Sequence, residues 1–425
     1  MSQEIKYIMK IRLIIMNFLQ FFIWGTWLIS FGSYAGNVLH FDGMQIGSFF
    51  ATIGIAALFM PAVLGVVADR WIPAQKLYGA CHLAGAALLA VAARQTAYMP
   101  LYVCMTGAVM AYMPTLALSY AIAYDALARK RLDAVVHFPP IRVWGTVGFI
   151  VAMWTVDFTG FKHSAMQLYA AAAAAAVLGI YAFTLPPCGV NKTPAAASWV
   201  DALGLRAFAL FRQPKMAIFF VASLFTGAAL QINNGFADIF INSFRAIPHY
   251  AGAAGVRHSV ALLSVSQIAE TLCILALPFF LTRFGVKKVL LASMLAWALR
   301  FALFAVGDPG GGLPLLLLSM VAYGVAFDFF NIAGSLFVEQ STDPRIRAGA
   351  QGLFMLMTTG VGAIVGAYAA GAVVDRFTGM DAQFFRTGDW SSAWYIFAGY
   401  MLVVALLFAL LFKEKVKNRA EYVKK

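Results

Sequence analysis

The sequence predicts an all-α membrane protein with twelve transmembrane helices in two six-helix bundles that are related by pseudo-two-fold symmetry. Of its 425 residues, 62% are hydrophobic and only 12% are charged, whereas roughly a quarter of the residues in an average soluble domain are charged. Apolar runs recur from Ile11 to Phe412, and a helix that crosses a bilayer needs about 20 such residues. A polar segment at 186–215 separates six of these runs from six others.

The apolar runs divide the chain into two comparable parts. The strands of an outer-membrane barrel would alternate apolar and polar residues over about ten positions, and these runs do not alternate in this way. We therefore predict an N-terminal bundle at 1–185, a cytoplasmic linker at 186–215 and a C-terminal bundle at 216–425 that ends in a short cytoplasmic tail. The predicted spans are 11–38, 44–67, 77–95, 99–124, 141–161, 165–185, 216–243, 258–282, 286–306, 313–338, 349–374 and 391–412.

The formal net charge of +13 raises the question of a nucleic-acid partner. Most of the Lys and Arg residues flank span ends on the side that holds both termini. The positive-inside rule then places both termini in the cytoplasm, for a multi-pass protein of the bacterial cytoplasmic (inner) membrane in contact with lipid. The charge thus reflects topology, and no nucleic acid is needed. Lys162 and Arg300 are among the few basic residues assigned to the opposite side or to helix ends.

Signals of several other protein classes are missing from the sequence. The N-terminal residues MSQEIKYIMKIRLII lack a short apolar core followed by a small-residue cleavage site, so we predict that the first run is a retained helix. The four cysteines form no close pairs, which argues against disulfides and a thiol metal site. We also find no P-loop, metal-ligand cluster or nucleophile with its base. The sequence therefore predicts no cofactor, no metal and no enzymatic activity.

A short internal repeat follows the second and eighth spans. The chain reads GVVADRW from Gly65 to Trp71 and LTRFGVKK from Leu281 to Lys288, about half a chain length further on. The first stretch resembles the cytoplasmic loop motif of the major facilitator superfamily, in which Asp69 would pair with basic residues and hold the cytoplasmic side closed. Gly65, Asp69 and Arg70 are therefore the predicted cytoplasmic gate motif, and the alternative is that these charges only anchor a loop at the membrane surface.

Polar side chains in the middle of a span are costly and are therefore candidates for function, although some only join helices. His82 is expected to be a packed, hydrogen-bonded histidine, whereas Asp238 and Glu339 lie nearer span ends and are expected to be solvated. Five clusters have spacings that place their members on one helix face. They are Gln20, Trp24 and Trp27; Arg142, Thr146 and Phe149; Gln231 and Asn234; Gln267 and Glu270; and Tyr323 and Phe327 with the adjacent Asp328.

The chemistry of these clusters favours a neutral, polar ligand with a planar ring. A phosphorylated ligand would need several converging Arg or Lys side chains, whereas amides, one guanidinium and aromatic faces suit a nucleoside and, almost as well, a sugar. The carboxyl groups of Glu270 and Asp328 would be costly as isolated anions in the membrane. Each group is therefore expected either to pair with a cation such as Arg142 or to take up a proton, and a proton taken up there could be coupled to movement of the substrate.

Longer stretches carry a more specific resemblance. The strings FPPIRVWGTVGFI, ALQINN, SQIAETL and YGVAFDFFNIAGSLFVE closely resemble the bacterial nucleoside:proton symporter family of the NupG and xanthosine permease type, within the major facilitator superfamily, and the similarity covers nearly the whole chain. His137 and Ala229 stand where the family pattern leads us to expect acidic residues. The resemblance implies a central site between the bundles, proton-coupled nucleoside uptake, and an importance of Asp328 for transport. The substrate-binding residues that it implies are Arg142, Thr146, Phe149, Gln231, Asn234, Gln267, Glu270, Tyr323 and Phe327.

Three alternatives remain open at this point. One is a proton-coupled sugar permease. The others are a membrane receptor, which would be expected to carry a cytoplasmic output domain, and an integral membrane enzyme, for which no catalytic constellation is found. The leading prediction is a nucleoside symporter that binds nucleosides and protons and acts as a monomer by alternating access.

Overall fold

The computed structural model describes residues 3–188, 205–343, 346–382 and 385–412, and most of these residues are helical. One antiparallel pair of strands, β1 (Thr378–Met380) and β2 (Arg386–Gly388), lies before the last helix. The main helices are α1 (Gln3–Gly25), α2 (Phe31–Asn37), α3 (Gly43–Arg70), α4 (Ala74–Ala92), α5 (Tyr98–Arg129), α6 (Ala134–Phe158), α7 (Met166–Ala182), α8 (Pro214–Ser243), α9 (Val265–Val306), α10 (Leu313–Ser341), α11 (Arg347–Met355), α12 (Ala363–Phe377) and α13 (Trp390–Leu411).

Short helical turns connect several of these elements. A π-helical segment, Leu356–Gly362, joins α11 to α12 without a break. The remaining turns are the 3-10 helices Phe161–His163, Leu205–Arg212 and Phe244–Ala246 and the short α-helices Ala254–Arg257 and Ser259–Leu263. Part of the predicted linker, 189–204, lies outside the described residues.

The prediction of an all-α membrane protein is confirmed. Within the described parts of the chain, nine helical segments are long and apolar enough to cross a membrane. These nine count predicted spans eight and nine once, as the two parts of α9, and they do not include α4 and α7, which correspond to predicted spans three and six. Gly285 interrupts α9 with a φ of +78°, which a residue without a side chain adopts at little cost. The count of twelve stays a prediction.

The first span differs from its prediction. The run 11–38 was expected to form one helix, but α1 ends at Gly25 and α2 begins at Phe31. The Thr26 hydroxyl donates to the carbonyl oxygen of Ile23 at 2.7 Å, and such local bonds compete with helical backbone pairing. Backbone bonds of helical spacing still cross the interruption, from Leu28 to Trp24 and from Phe31 to Trp27, so the run 11–38 keeps one course through the fold.

The N-terminal half (3–188) and the C-terminal half (205–412) of the chain approach each other closely at glycines. A Cβ atom at Gly32 in α2 would overlap the backbone oxygen of Gly235 in α8, and one at Gly47 in α3 would overlap that of Ala367 in α12. Small residues allow membrane helices to pack at backbone distance. At these two positions, a residue with a side chain would not fit between the halves.

A carboxylate reinforces this contact between the halves. Asp375 in α12 accepts hydrogen bonds from the backbone nitrogens of Gly43 at 2.6 Å and Met44 at 2.8 Å, at the N-terminus of α3. An anion is favourable there because the first amides of a helix have no helical acceptor. Arg386 holds the same carboxylate through Nη1 at 2.8 Å. We call the end of the helices where α3 begins and α6 ends the distal end.

Candidate substrate and proton site

Arg142, Thr146 and Phe149 lie on one face of α6, as their spacing predicts. The Arg142 guanidinium stands 3.9 Å above the centre of the Phe21 ring, and its Nε donates to the Tyr120 hydroxyl at 3.2 Å. Stacking and hydrogen bonding thus fix the guanidinium plane. Phe149 is buried, and Arg142 and Thr146 are half-buried.

Four amide and carboxyl side chains of the C-terminal half come from two helices. Gln231 and Asn234 in α8 are buried, whereas Gln267 and Glu270 in α9 are half-buried. The Gln231 Oε1 atom has no hydrogen-bond partner within the described structure. Because an unpaired buried acceptor is costly, this oxygen is available to a ligand donor.

Helix α10 contributes an aromatic pair and a carboxylate. The Tyr323 and Phe327 rings are nearly parallel, at an interplanar angle of 8° and a centroid distance of 5.8 Å. Asp328 is the residue directly after Phe327, and it is 6% exposed. Its Oδ2 lacks a hydrogen-bond partner among the described residues.

Charged groups from both halves of the chain meet at this level. Arg142 of the N-terminal half lies within electrostatic range of Glu270 and Asp328 of the C-terminal half, and the two carboxyl groups also interact with each other. One fixed cation therefore faces two carboxyl groups. This arrangement can hold a proton on one carboxyl group while the charge of Arg142 favours the ionised form of the other.

A cavity of about 50 Å³ adjoins the predicted residues Gln231 and Phe327. Sites that bury a drug-sized ligand usually measure about 300–1,000 Å³, and the residues that line this smaller cavity all belong to the C-terminal half. The cavity is also lined by Trp297, Thr358 and Asn331, which the sequence reasoning missed. Asn331 could have been found, because it lies four residues after Phe327 and so shares its helix face.

Gln20, in the first of the five clusters, joins helices through its side-chain amide. Gln20 Nε2 donates to Thr115 Oγ1 at 2.8 Å, while Gln20 Oε1 accepts from the Tyr78 hydroxyl at 2.6 Å and from His82 Nε2 at 2.9 Å. The prediction that His82 is packed and hydrogen-bonded is confirmed. Trp24 of the same cluster stacks on a tyrosine ring at 4.6 Å.

Comparison with known proteins identifies the family. The family model described as Nucleoside H+ symporter matches residues 7–417. The chain belongs to this family. It is 49% identical over 408 residues, 96% of each chain, to nucleoside permease NupG of Escherichia coli (strain K12). It is also 49% identical over 415 residues to the xanthosine permease of that organism, which covers 96% of this chain and 98% of the relative.

Solved structures agree with this assignment. A crystal structure of the nucleoside transporter NupG matches with a TM-score of 0.89 and 49% identity, over 96% of this chain and 100% of that one. The chain is thus a proton-coupled nucleoside transporter and not an enzyme, and the leading prediction from the sequence is confirmed at this level.

The predicted gate motif of this symporter is only partly described. Gly65 lies in α3, which ends at Arg70. The side chains of Asp69 and Arg70 lie outside the described residues, so their pairing stays a prediction. Gly65 lines a cavity of about 240 Å³ together with Asp125 and Cys188.

Two charged residues of the symporter are buried. Asp238 was expected to be solvated, but it is 1% exposed and accepts from the Ser259 hydroxyl at 2.5 Å. This expectation was wrong because other helices cover the position. Arg300 was assigned to a helix end or to the opposite side, and it is 0% exposed. Glu339, in contrast, is solvated as expected and pairs with Arg347.

A charge network, buried except at His258, joins the two halves at the distal end of the symporter. We call it the Lys162 cluster, formed by Asp157, Lys162, Asp238, His258 and Ser259. Lys162 pairs with Asp157 and donates to Ser259 Oγ at 3.2 Å, and His258 Nδ1 lies 3.0 Å from Asp157 Oδ2. Asp157 and Lys162 belong to the N-terminal half and the other three to the C-terminal half, so the network joins the two halves.

The nearby His163 is not one of the cations that offset the carboxylates of the Lys162 cluster. Burial, followed by the positive charges of Arg245 and Lys162, lowers the pKa of the nearby His163 to about 4. His163 is therefore neutral at neutral pH and does not offset a carboxylate. The fixed cations within electrostatic range of both Asp157 and Asp238 are Lys162, which pairs directly with Asp157, and Arg245.

Proposed function

We propose that this symporter imports nucleosides with protons across the inner membrane by alternating access, as a monomer with both termini in the cytoplasm. Twelve spans form two six-helix bundles, 1–185 and 216–425, joined by the linker 186–215, and the substrate binds between them. The observation that carries this proposal is the convergence of Arg142 from one half with Glu270 and Asp328 from the other, beside the Tyr323–Phe327 stack.

We assign the distal end to the periplasmic side. The contacts of Asp375 with α3 and those of the Lys162 cluster support a state in which this end is closed. In the proposed cycle these contacts break when the halves separate toward the periplasm. Asp69 and Arg70 are proposed to act at the opposite, cytoplasmic end.

The proposed site binds the nucleoside by aromatic stacking and by hydrogen bonding. Phe149 and Phe327 come from opposite halves and would hold the nucleobase between them, with Tyr323 supporting Phe327. The remaining residues of the proposed site are Arg142, Thr146, Gln231, Asn234, Gln267 and Glu270. Asp328 would carry the coupled proton, with Glu270 as the second candidate.

The stacking assignment predicts weaker binding when either ring is removed. Phe149→Ala and Phe327→Ala are each expected to weaken uridine and adenosine binding by about 1–3 kcal/mol, the range for bases that stack on aromatic side chains. Isothermal titration calorimetry on the purified protein measures this loss. Phe279→Ala is a matched control in α9, since that ring is 64% exposed. Parent-like affinity in both site variants would remove the stacking assignment.

The polar assignment predicts discrimination against deoxynucleosides. A site whose Gln231, Asn234, Gln267 and Glu270 groups bond ribose hydroxyls leaves these groups unpaired when a hydroxyl is missing. We expect 2′-deoxyuridine or 3′-deoxyuridine to bind more weakly than uridine by about 1–3 kcal/mol. Competition against labelled uridine measures the difference. Equal affinity of uridine and both analogues would argue that ribose is not recognised.

A further inference from the structure

Arg300 is a fully buried cation that lies outside the set of residues discussed above for substrate binding. Its Nε and Nη2 atoms donate to Asn233 Oδ1 at 3.0 and 2.6 Å, and its Nη1 atom donates to the Ser319 carbonyl oxygen at 2.7 Å and to Ser266 Oγ at 3.3 Å. These acceptors lie on α8, α10 and the first part of α9. Within the described residues, no carboxylate forms an ion pair with Arg300.

A buried cation without a carboxylate partner is expensive to maintain. An apolar residue in its place would leave Asn233 Oδ1 and the Ser319 carbonyl oxygen without their donor. The planar guanidinium of an arginine can hold several acceptors in fixed directions at once, whereas the ammonium group of a lysine cannot. We therefore expect a role of Arg300 that depends on the planar shape of its guanidinium.

The Arg300 guanidinium contacts the proposed site through two aromatic rings. Its central carbon lies 4.8 Å from the centroid of the Tyr323 ring, and Tyr323 in turn stacks on Phe327. On the other side, the guanidinium lies 4.8 Å from the Phe304 ring, which leads away from the site. One face of Arg300 thus restrains the stacking pair.

The same guanidinium reaches the polar part of the site. Arg300, Asn233, Ser266 and Gln267 line a cavity of about 10 Å³, which is enough for about one water molecule. Met153 of α6 and Ile29 close the cavity from the N-terminal half. Arg300 therefore borders Gln267 at the junction of the two halves.

We propose that Arg300 is a positioning residue for nucleoside binding. Its guanidinium, held by Asn233, fixes Tyr323 and through it Phe327, and it sets the polar surroundings of Gln267. The substrate then meets a stacking face and an amide that are already in place, so less ordering accompanies binding. This inference rests on the proposed function, because Tyr323, Phe327 and Gln267 act in it as the nucleoside site.

The test uses the full-length chain in proteoliposomes with labelled uridine. Arg300→Lys keeps the charge but loses the fork, and we expect it to raise the KM at least tenfold while the maximal rate stays within about threefold of the parent. Asn233→Leu, which removes the acceptor, is expected to act in the same direction. Asn233→Asp restores an oxygen acceptor and is expected to recover most of the affinity lost in Asn233→Leu. Phe304→Leu alters the other face of the guanidinium and is the matched control, with a parent-like KM.

The outcomes separate positioning from a merely structural role. A folded Arg300→Lys variant with a KM within twofold of the parent would overturn the inference while leaving the proposed function intact. An equal rise in KM for Phe304→Leu would also overturn it, because general loosening of the helices would then account for the effect. Thermal unfolding of each variant reports folding independently. A parent chain that binds neither uridine nor adenosine would contradict the proposed function and this inference together.

Discussion

Asp328→Asn is expected to retain nucleoside binding and to lose uptake against a concentration gradient. Asp328 is 6% exposed, carries an oxygen without a hydrogen-bond partner in the described structure, and follows the stacking residue Phe327. Arg142 of the other half lies within electrostatic range. A carboxyl group at this position can take up and release a proton as the halves move, whereas an amide cannot.

Vesicles with an imposed proton gradient measure this separation directly. Accumulation per folded molecule is expected to fall to the equilibrium level in Asp328→Asn, while exchange of internal for external nucleoside persists. Glu339→Gln is the matched control on the same helix, because Glu339 is 47% exposed and pairs with Arg347. Full accumulation by Asp328→Asn would remove Asp328 from the coupling mechanism, and a lower folded yield with intact coupling would assign it to helix packing.

Lys162→Met is expected to destabilise the folded symporter by about 3–5 kcal/mol, the cost of removing one partner from a buried ion pair. The substitution leaves Asp157 and Asp238 buried without the ammonium group that faces both. It also removes the hydrogen bond to Ser259, so a contact between the halves at the distal end is lost.

Reversible unfolding in detergent measures the loss for Lys162→Met. The double variant Asp157→Asn/Lys162→Met is expected to recover part of the stability, because one uncompensated carboxylate is removed with its partner. Lys287→Met is the matched control, since the Lys287 ammonium donates to the Ala409 carbonyl oxygen at 2.9 Å. If Lys162→Met and Lys287→Met have the same free energy of unfolding, the Lys162 cluster does not stabilise the closed distal end.

Local spacing explains which parts of the site could be predicted from the sequence. Arg142, Thr146 and Phe149 share a face because helix geometry alone fixes the relation between residues four and seven apart. Tyr323 and Phe327 likewise stack because they lie four residues apart on α10. The aromatic and polar character of each face therefore follows from the order of residues along its own helix.

Long-range packing explains what the sequence reasoning missed. Arg300 finds its acceptor Asn233 at a separation of 67 residues, and Lys162 finds Ser259 at a separation of 97 residues. Neither pair has a spacing that a helical pattern can indicate. Gln20 shows the same limit, since its partner Thr115 lies 95 residues away.

The central claim is that this chain couples nucleoside entry to a proton gradient. The most direct test is uptake of labelled uridine, adenosine and a galactoside into proteoliposomes that are more acidic outside than inside. We expect uridine or adenosine, or both, to accumulate above the external concentration and to equilibrate when a protonophore collapses the gradient. The galactoside is expected not to accumulate. Accumulation of the galactoside alone, or nucleoside accumulation that the protonophore leaves unchanged, would contradict the account.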